Sequence, residues 1–239
     1  MTDTPLKDQL ALVTGASRGI GAATAEALAK AGAHVILTAR TAKDLEAVEE
    51  RIHEAGGSAT IAPLDLTDAE AIARLATAVA ERWDKLDILV LNAAMLGTLA
   101  PVPAIDPKEF AQLLTLNIAA QQALIAAFDP LLRRASPGRL IAVTSSVGAQ
   151  PRAYWGAYGA SKAALDTLVA AYGEEQRNLG KVKVAIVDPG ATRTKMREKA
   201  FPGEDPTTVK PPEAVGERIV ALLSQGFETG HRERVQGSA

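Results

Sequence analysis

The chain contains no cysteine, which excludes a disulfide framework, thiol catalysis and cysteine-based metal sites. Its three histidines, His34, His53 and His231, are scattered, which argues against a metal centre. Aromatic residues make up only 4% of the chain, so Ala, Leu, Val and Ile must fill the core, and at 47% hydrophobic they suffice. The net charge is −2 and no run of one sign occurs, so there is no basic surface for nucleic acid. The opening residues, Met-Thr-Asp-Thr-Pro-Leu-Lys-Asp, lack an apolar signal region, and a cytoplasmic location is expected. Phe110 to Phe128 carries no charged residue. However, Gln112, Thr115, Asn117, Gln121 and Gln122 interrupt it, so it is a poor membrane span and no membrane association is expected. A long helix uncharged on every face is buried on several sides. In a chain of 239 residues that points to a subunit interface.

Six apolar segments read as strands: 10–13, 34–38, 59–64, 86–91, 138–144 and 182–187. They alternate with helical patterns at intervals of roughly 25 to 35 residues, long enough for right-handed parallel crossovers. No linker or break in composition interrupts residues 1–239. The expected fold is α/β: a three-layer, doubly wound parallel sheet in a single domain. Residues 191–212 are rich in charge, Pro and Gly, and read as a substrate loop with a short helix near Met196.

The first strand runs directly into Gly15-Ala-Ser-Arg-Gly19-Ile-Gly21, and a helix follows. Strand, glycine turn and helix together suit a dinucleotide pyrophosphate: glycines let the backbone approach the phosphates, and the helix N-terminus offers free N–H groups. Gly15, Ser17, Arg18, Gly19, Ile20 and Gly21 are therefore candidate cofactor-binding residues. An acid at the end of the second strand would bind ribose hydroxyls, but the residues there are Thr38-Ala39-Arg40. Arg40 and Arg18 suit a 2′-phosphate instead, which favours NADP(H) and leaves NAD(H) possible. Asp65-Leu66 ends the third strand. Asp65 could accept a hydrogen bond from an adenine amino group, or it could only shape the turn that Thr67 or Asp68 caps. Asn92-Ala93-Ala94 follows the fourth strand, and its small residues would admit a ligand at the C-terminal ends of the strands.

Tyr158-Gly-Ala-Ser-Lys162 opens a predicted helix. Residues four apart share a face, so the phenol and the ammonium point the same way. A nearby positive charge favours the phenolate, and the expectation is that Lys162 lowers the Tyr158 pKa enough for proton exchange with an alcohol or carbonyl.

Taken in order, these motifs resemble those of the short-chain dehydrogenase/reductase family, over about residues 8 to 225. Thr14-Gly15-Ala16-Ser17-Arg18-Gly19-Ile20-Gly21 matches its Thr-Gly-x3-Gly-x-Gly cofactor motif. Asn92-Ala93-Ala94 resembles its Asn-Asn-Ala-Gly segment, with Leu91 and Ala94 as departures. The resemblance implies that Asp65, with Leu66, lies at the adenine ring. It also implies that Pro189, Gly190, Thr192 and Thr194 lie near the nicotinamide carboxamide, and that Asn117, Ser145, Tyr158 and Lys162 are the catalytic four. Ser145 stands at the family spacing before Tyr158 and is preferred to Ser146. The implied reaction is hydride transfer between NADP(H) and a small carbonyl or alcohol. In it Tyr158 is the acid/base, Ser145 holds the carbonyl oxygen, Lys162 holds the nicotinamide ribose, and Asn117 holds a water that links Lys162 to solvent.

The Arg152-Ala-Tyr-Trp-Gly-Ala-Tyr158 run most resembles bacterial members of unassigned substrate. Met95, Leu96, Tyr154, Trp155, Met196 and Phe201 are candidates for an apolar pocket or for core and loop packing, and Arg152, Arg193 and Lys195 could attract an anion or form a solvated rim. One rival reading is a non-catalytic NADP(H)-binding regulator on the same fold. Another is an epimerase or dehydratase that uses the cofactor transiently, whose relatives usually carry a larger C-terminal substrate domain. Family members end with an apolar seventh strand, whereas Arg232-Glu-Arg-Val-Gln-Gly is a poor strand by pattern.

Overall fold

The computed structural model describes residues 4–236; residues 1–3 and 237–239, including the end of the polar tail, lie outside the described residues. The strands are β1 Leu10–Thr14, β2 His34–Ala39, β3 Ser58–Pro63, β4 Ile88–Leu91, β5 Gly138–Val143, β6 Val182–Asp188 and β7 His231–Arg234. They form one sheet in the order β3-β2-β1-β4-β5-β6-β7, parallel at every pairing. The helices are α1 Gly19–Lys30, α2 Ala42–Glu54, α3 Ala69–Arg82, α4 Pro107–Leu114, α5 Ala120–Leu132, α6 Gly156–Arg177, α7 Lys195–Ala200 and α8 Glu213–Gln225. The expected three-layer, doubly wound architecture is present.

Strand periodicity sorts the side chains into two cores. Ala11, Val13, Ile88, Val90, Ile141, Val143, Ala185 and Val187 face the layer of α1, α2 and α8. Their neighbours Leu12, Leu89, Leu91, Leu140, Val184 and Ile186 face α3, α5 and α6. Each fully buried aliphatic side chain contributes roughly 1.5–3 kcal/mol. Both faces are covered, so the central strands read as continuous apolar runs.

The seventh strand forms, although its sequence pattern does not suggest one. β7 lies at the edge of the sheet, and ion pairs on both faces take the place of apolar burial. Arg218 of α8 holds Glu233 at 2.7 and 2.8 Å. On the opposite face, Arg232 holds Asp166 of α6 at 3.0 Å. Charged side chains on an edge also discourage further strand pairing.

The uncharged helix is interrupted. Asp106 caps α4, accepting from the Glu109 N–H at 2.7 Å, and Pro107 takes the first helical position, where its missing N–H costs nothing. A π-helical turn over Thr115–Ala119 then separates α4 from α5. The whole stretch, Pro107–Leu132, is long and apolar enough to cross a membrane by length and composition, with mean hydropathy 1.3. Its Leu124, Phe128 and Leu132 are packed into the core beneath the sheet. The outward residues Ala111, Gln112, Thr115, Ala119, Gln122 and Ala126 are exposed and uncharged.

Candidate active site

The C-terminal ends of β1, β4, β5 and β6 converge on one edge of the sheet, as expected for a ligand cleft in an open parallel sheet. At β1 the chain turns through Gly15, with φ of +65°, and Gly19, with φ of +55°. Gly21 packs so closely that an added Cβ would lie 2.2 Å from the Gly15 carbonyl oxygen and 2.5 Å from the Asn92 amide nitrogen. The α1 N-terminus has no side-chain cap and no acid in its first turn. Its free N–H groups and positive dipole end therefore face outward, a donor set that fits a pyrophosphate. Ile20 packs partly against the core, and Ser17 is half-buried in the turn.

The hydroxyl of Thr14, which opens the matched motif but is not among the candidate site residues, joins this turn to β4. It accepts from the N–H groups of Asn92 at 2.9 Å and Ala93 at 3.0 Å, and it donates to the Val90 carbonyl at 3.2 Å. The Asn92 amide donates to the Thr14 carbonyl at 2.8 Å and the Gly15 carbonyl at 3.3 Å. Asn92 therefore acts on the cleft by holding the glycine turn in place. Thr14 could have been found from its position, the last residue of the strand before the first motif glycine.

Arg18 and Arg40 are exposed beside the turn, and neither enters an ion pair among the described residues. The positive charge of Arg40 reaches Asp65 and helps hold that carboxyl below its ordinary range, after the two hydrogen bonds from Thr67. Those bonds, from the Thr67 N–H at 2.9 Å and hydroxyl at 2.8 Å, both fall on Asp65 Oδ1. Asp65 thus shapes the turn with one oxygen, and Asp68 caps α3. The Leu66 side chain is buried in the core and offers no wall to the cleft.

The Pro189–Thr194 segment follows β6. Asp188 accepts the Gly190 N–H at 2.9 Å, and Gly190 has φ of +62°. The Thr192 hydroxyl donates to the Pro189 carbonyl at 3.1 Å. Thr194 caps α7, and its methyl would lie 3.3 Å from a Cβ on Gly19. α7 therefore begins directly over the glycine turn.

Tyr158 and Lys162 are both buried on α6, and the Lys162 ammonium lies 5.8 Å from the Tyr158 ring centroid. Lys162 Nζ donates to the Val143 carbonyl at the end of β5, at 3.0 Å. Ser145 follows two residues later, and its hydroxyl accepts a long bond, 3.5 Å, from the Val147 N–H. Val147 packs against Tyr158, which brings Ser145, Tyr158 and Lys162 to one corner of the cleft. Asn117 sits in the π turn. Its Oδ1 accepts from the Met95 N–H at 2.9 Å, and its amide donates to the Met95 carbonyl at 2.9 Å and the Ser161 hydroxyl at 3.0 Å. Both amide hydrogens are engaged with protein, so the side chain positions the Met95 segment and has no donor left for water.

The expected direction of the Tyr158 shift is reversed. Burial pushes the phenol up from its ordinary value, and Asp188 pushes it further. Burial also pushes Lys162 down to about 8, against the opposing charge of Asp166. Desolvation disfavours the charged form of each.

Above Tyr158 stands an apolar wall of Leu96, Val147, Leu99, Trp155, Met196 and Ala200. Trp155 meets the Tyr158 ring edge-on at 6.0 Å between centroids and the Phe201 ring at 5.7 Å. Of the cations on α7, Lys195 is exposed, and Arg197 and Lys199 are engaged with protein groups. Arg197 lies over Phe201 at 3.7 Å and pairs with Glu204, and Lys199 donates to the Gly97 carbonyl at 3.3 Å. Of the other pocket candidates, Met95 is half-buried and Tyr154 is exposed, with φ of 71°.

The sequence matches the family model for short chain dehydrogenases over residues 9–205. The chain belongs to the short chain dehydrogenase family. It is 38% identical over 210 residues to the uncharacterized oxidoreductase YciK of Escherichia coli K12, covering 87% of this chain and 82% of that protein. It is also similar to a short chain dehydrogenase of Escherichia coli CFT073 solved in complex with NADPH, with TM-score 0.92, 36% identity, and coverage of 99% of this chain and 100% of that one. A metagenomic short-chain oxidoreductase in complex with NADP is similar as well, with TM-score 0.84, 36% identity, and coverage of 98% and 100%. Family membership supports an oxidoreductase on a Rossmann-like fold.

Proposed function

We propose that this protein is an NADP(H)-preferring reductase of a neutral carbonyl compound, with Tyr158 as the acid. The observation that carries the proposal is the buried Tyr158–Lys162 pair beside Ser145, at the sheet edge where the uncapped glycine turn also opens. NADP(H), when bound, supplies or accepts the hydride. Gly15, Ser17, Arg18, Gly19, Ile20 and Gly21 would hold its pyrophosphate, and Arg18 and Arg40 its 2′-phosphate. Asp65, through its free oxygen, and Leu66, through its backbone, would border the adenine. Ala93, Pro189, Gly190, Thr192 and Thr194 would border the nicotinamide half, with Lys162 at its ribose. Two NADP(H)-bound neighbours of the same fold support that cofactor.

Ser145 orients the substrate oxygen and stabilises developing negative charge on it. Tyr158 transfers its phenolic proton to that oxygen. Burial raises the phenol's pKa, so Tyr158 rests protonated; it gives its proton to the forming alkoxide in the reducing direction and takes one from the alcohol in the reverse direction. Asn117 positions the Met95 segment that flanks the site. Residues 191–212, with α7, form the substrate loop. The wall over Tyr158 is built of apolar side chains, with Arg197 paired to Glu204, Lys199 on the Gly97 carbonyl, and Arg152, Arg193 and Lys195 exposed; the wall suits an uncharged substrate. We further place the enzyme in the cytoplasm as a homodimer or homotetramer, joined through the uncharged outer face of α4–α5 and the adjoining α6.

The test is a screen of neutral and anionic aldehydes and ketones, followed by NADPH oxidation and repeated with Tyr158→Phe. Turnover of neutral carbonyls that Tyr158→Phe abolishes is expected. Undiminished turnover in that variant would refute the assignment of Tyr158. Sedimentation at micromolar concentration tests the assembly, and a monodisperse monomer would contradict it.

A further inference from the structure

Lys162 is an unusual lysine, because its ammonium is fully buried and has one hydrogen-bond acceptor, the Val143 carbonyl. Such a group holds its proton only if something nearby favours the charge. Asp166 follows one helical turn along α6 and therefore shares the Lys162 face. Its Oδ2 accepts from Arg232 Nη1 of β7 at 3.0 Å. Its Oδ1 is buried and has no hydrogen-bond partner among the described residues. An orphaned carboxylate oxygen is costly and calls for a reason, and fastening an edge strand does not require it.

The surroundings narrow the reason. Against Lys162, β5 presents only the Val143 carbonyl. The π turn presents the neutral Asn117, bonded to Ser161. From β6 comes Asp188, whose Oδ2 lies 3.6 Å from Arg234, with Lys210 beside it; its charge acts on Tyr158. On α6 itself the ionisable neighbours are Tyr158 and Asp166. Of these groups, Asp166 is the one that opposes the effect of burial on Lys162.

We propose that Asp166 is a positioning residue for Lys162: its carboxylate sustains the ammonium form of the buried lysine, and Arg232, carried in by the edge strand, sets how strongly it does so. This extends the reading of Lys162 as part of the reacting pair and rests on it. It also gives the charged seventh strand a role at the site, because β7 brings to α6 the cation that tempers Asp166.

The test follows the Lys162 side chain directly and needs no substrate. Protein labelled with ¹³C-lysine is titrated by NMR, with the Lys162 Cε signal assigned by its loss in Lys162→Met. Asp166→Asn is expected to move the midpoint to lower pH by about one unit. Arg232→Gln is expected to move it to higher pH by a few tenths of a unit, because Arg232 is half-exposed and screened. An unmoved midpoint in either variant, or a shift of the opposite sign, overturns the proposal. If Asp166→Asn does not fold, Arg232→Gln decides together with Arg218→Gln, which also loosens β7 but leaves Asp166 paired; equal shifts in the two variants overturn the proposal. The underlying reading of Lys162 fails separately, through a Lys162→Met enzyme that keeps full turnover.

Discussion

Around the glycine turn, backbone sets the geometry. Gly15 and Gly19 take left-handed conformations, Gly21 touches the Gly15 carbonyl, and Thr14 and Asn92 bind main-chain groups across β1 and β4. Around Tyr158, side chains from four segments set it: Leu96 after β4, Val147 after β5, Trp155 before α6 and Met196 on α7. The first region can change little without losing its shape. The second can exchange one apolar side chain for another of similar volume and keep its shape. With the cofactor at the first and the substrate at the second, as proposed, the fixed end serves one cofactor and the adjustable end many substrates.

Substitutions can break or sharpen this contrast. The largest effect is expected from Tyr158→Phe, which should lower turnover by about 10²–10⁴-fold while NADPH binding, followed by fluorescence, stays nearly unchanged. Gly21→Val should damage the backbone-built end, because its Cβ has no room beside the Gly15 carbonyl. A destabilisation of about 3 kcal/mol in chemical denaturation, with loss of NADPH binding, is the expected result.

Lys162→Met should stabilise the protein by about 2 kcal/mol at pH 7, since each unit of pKa shift is worth about 1.4 kcal/mol and the Val143 carbonyl loses a partner worth about 1 kcal/mol. The sign follows from burial. With Lys162 lowered to about 8 from its ordinary 10.5, the unfolded chain binds more protons between those values. Wild-type stability should therefore rise across that window, and the advantage of the variant should be complete below about pH 8 and gone above about 10.5. A constant advantage across the whole range would show that Lys162 is not desolvated. The smallest effect is expected from Arg40→Ala, which should weaken NADPH binding about tenfold and leave NADH binding unchanged.

The central strands were legible because burial on both faces demands apolar runs, and the glycine turn because its backbone requires glycines at fixed positions. β7 was not legible, since Arg218–Glu233 and Arg232–Asp166 hold it by charge. The π turn left no trace because Thr-Leu-Asn-Ile-Ala is compatible with an unbroken helix. The neighbourhood of Tyr158 and Lys162 could be read from their spacing. The direction of their pKa shifts could not, because desolvation depends on Trp155, Leu96 and β5, which only folding brings together.

The most direct test of the account is titration of the purified protein with NADPH and with NADH. Tight binding of NADPH and weak binding of NADH is predicted, from Arg18 and Arg40 beside an acid-free second strand. Equal affinity or a preference for NADH would contradict the cofactor reading, and binding of neither would contradict the proposed reductase itself.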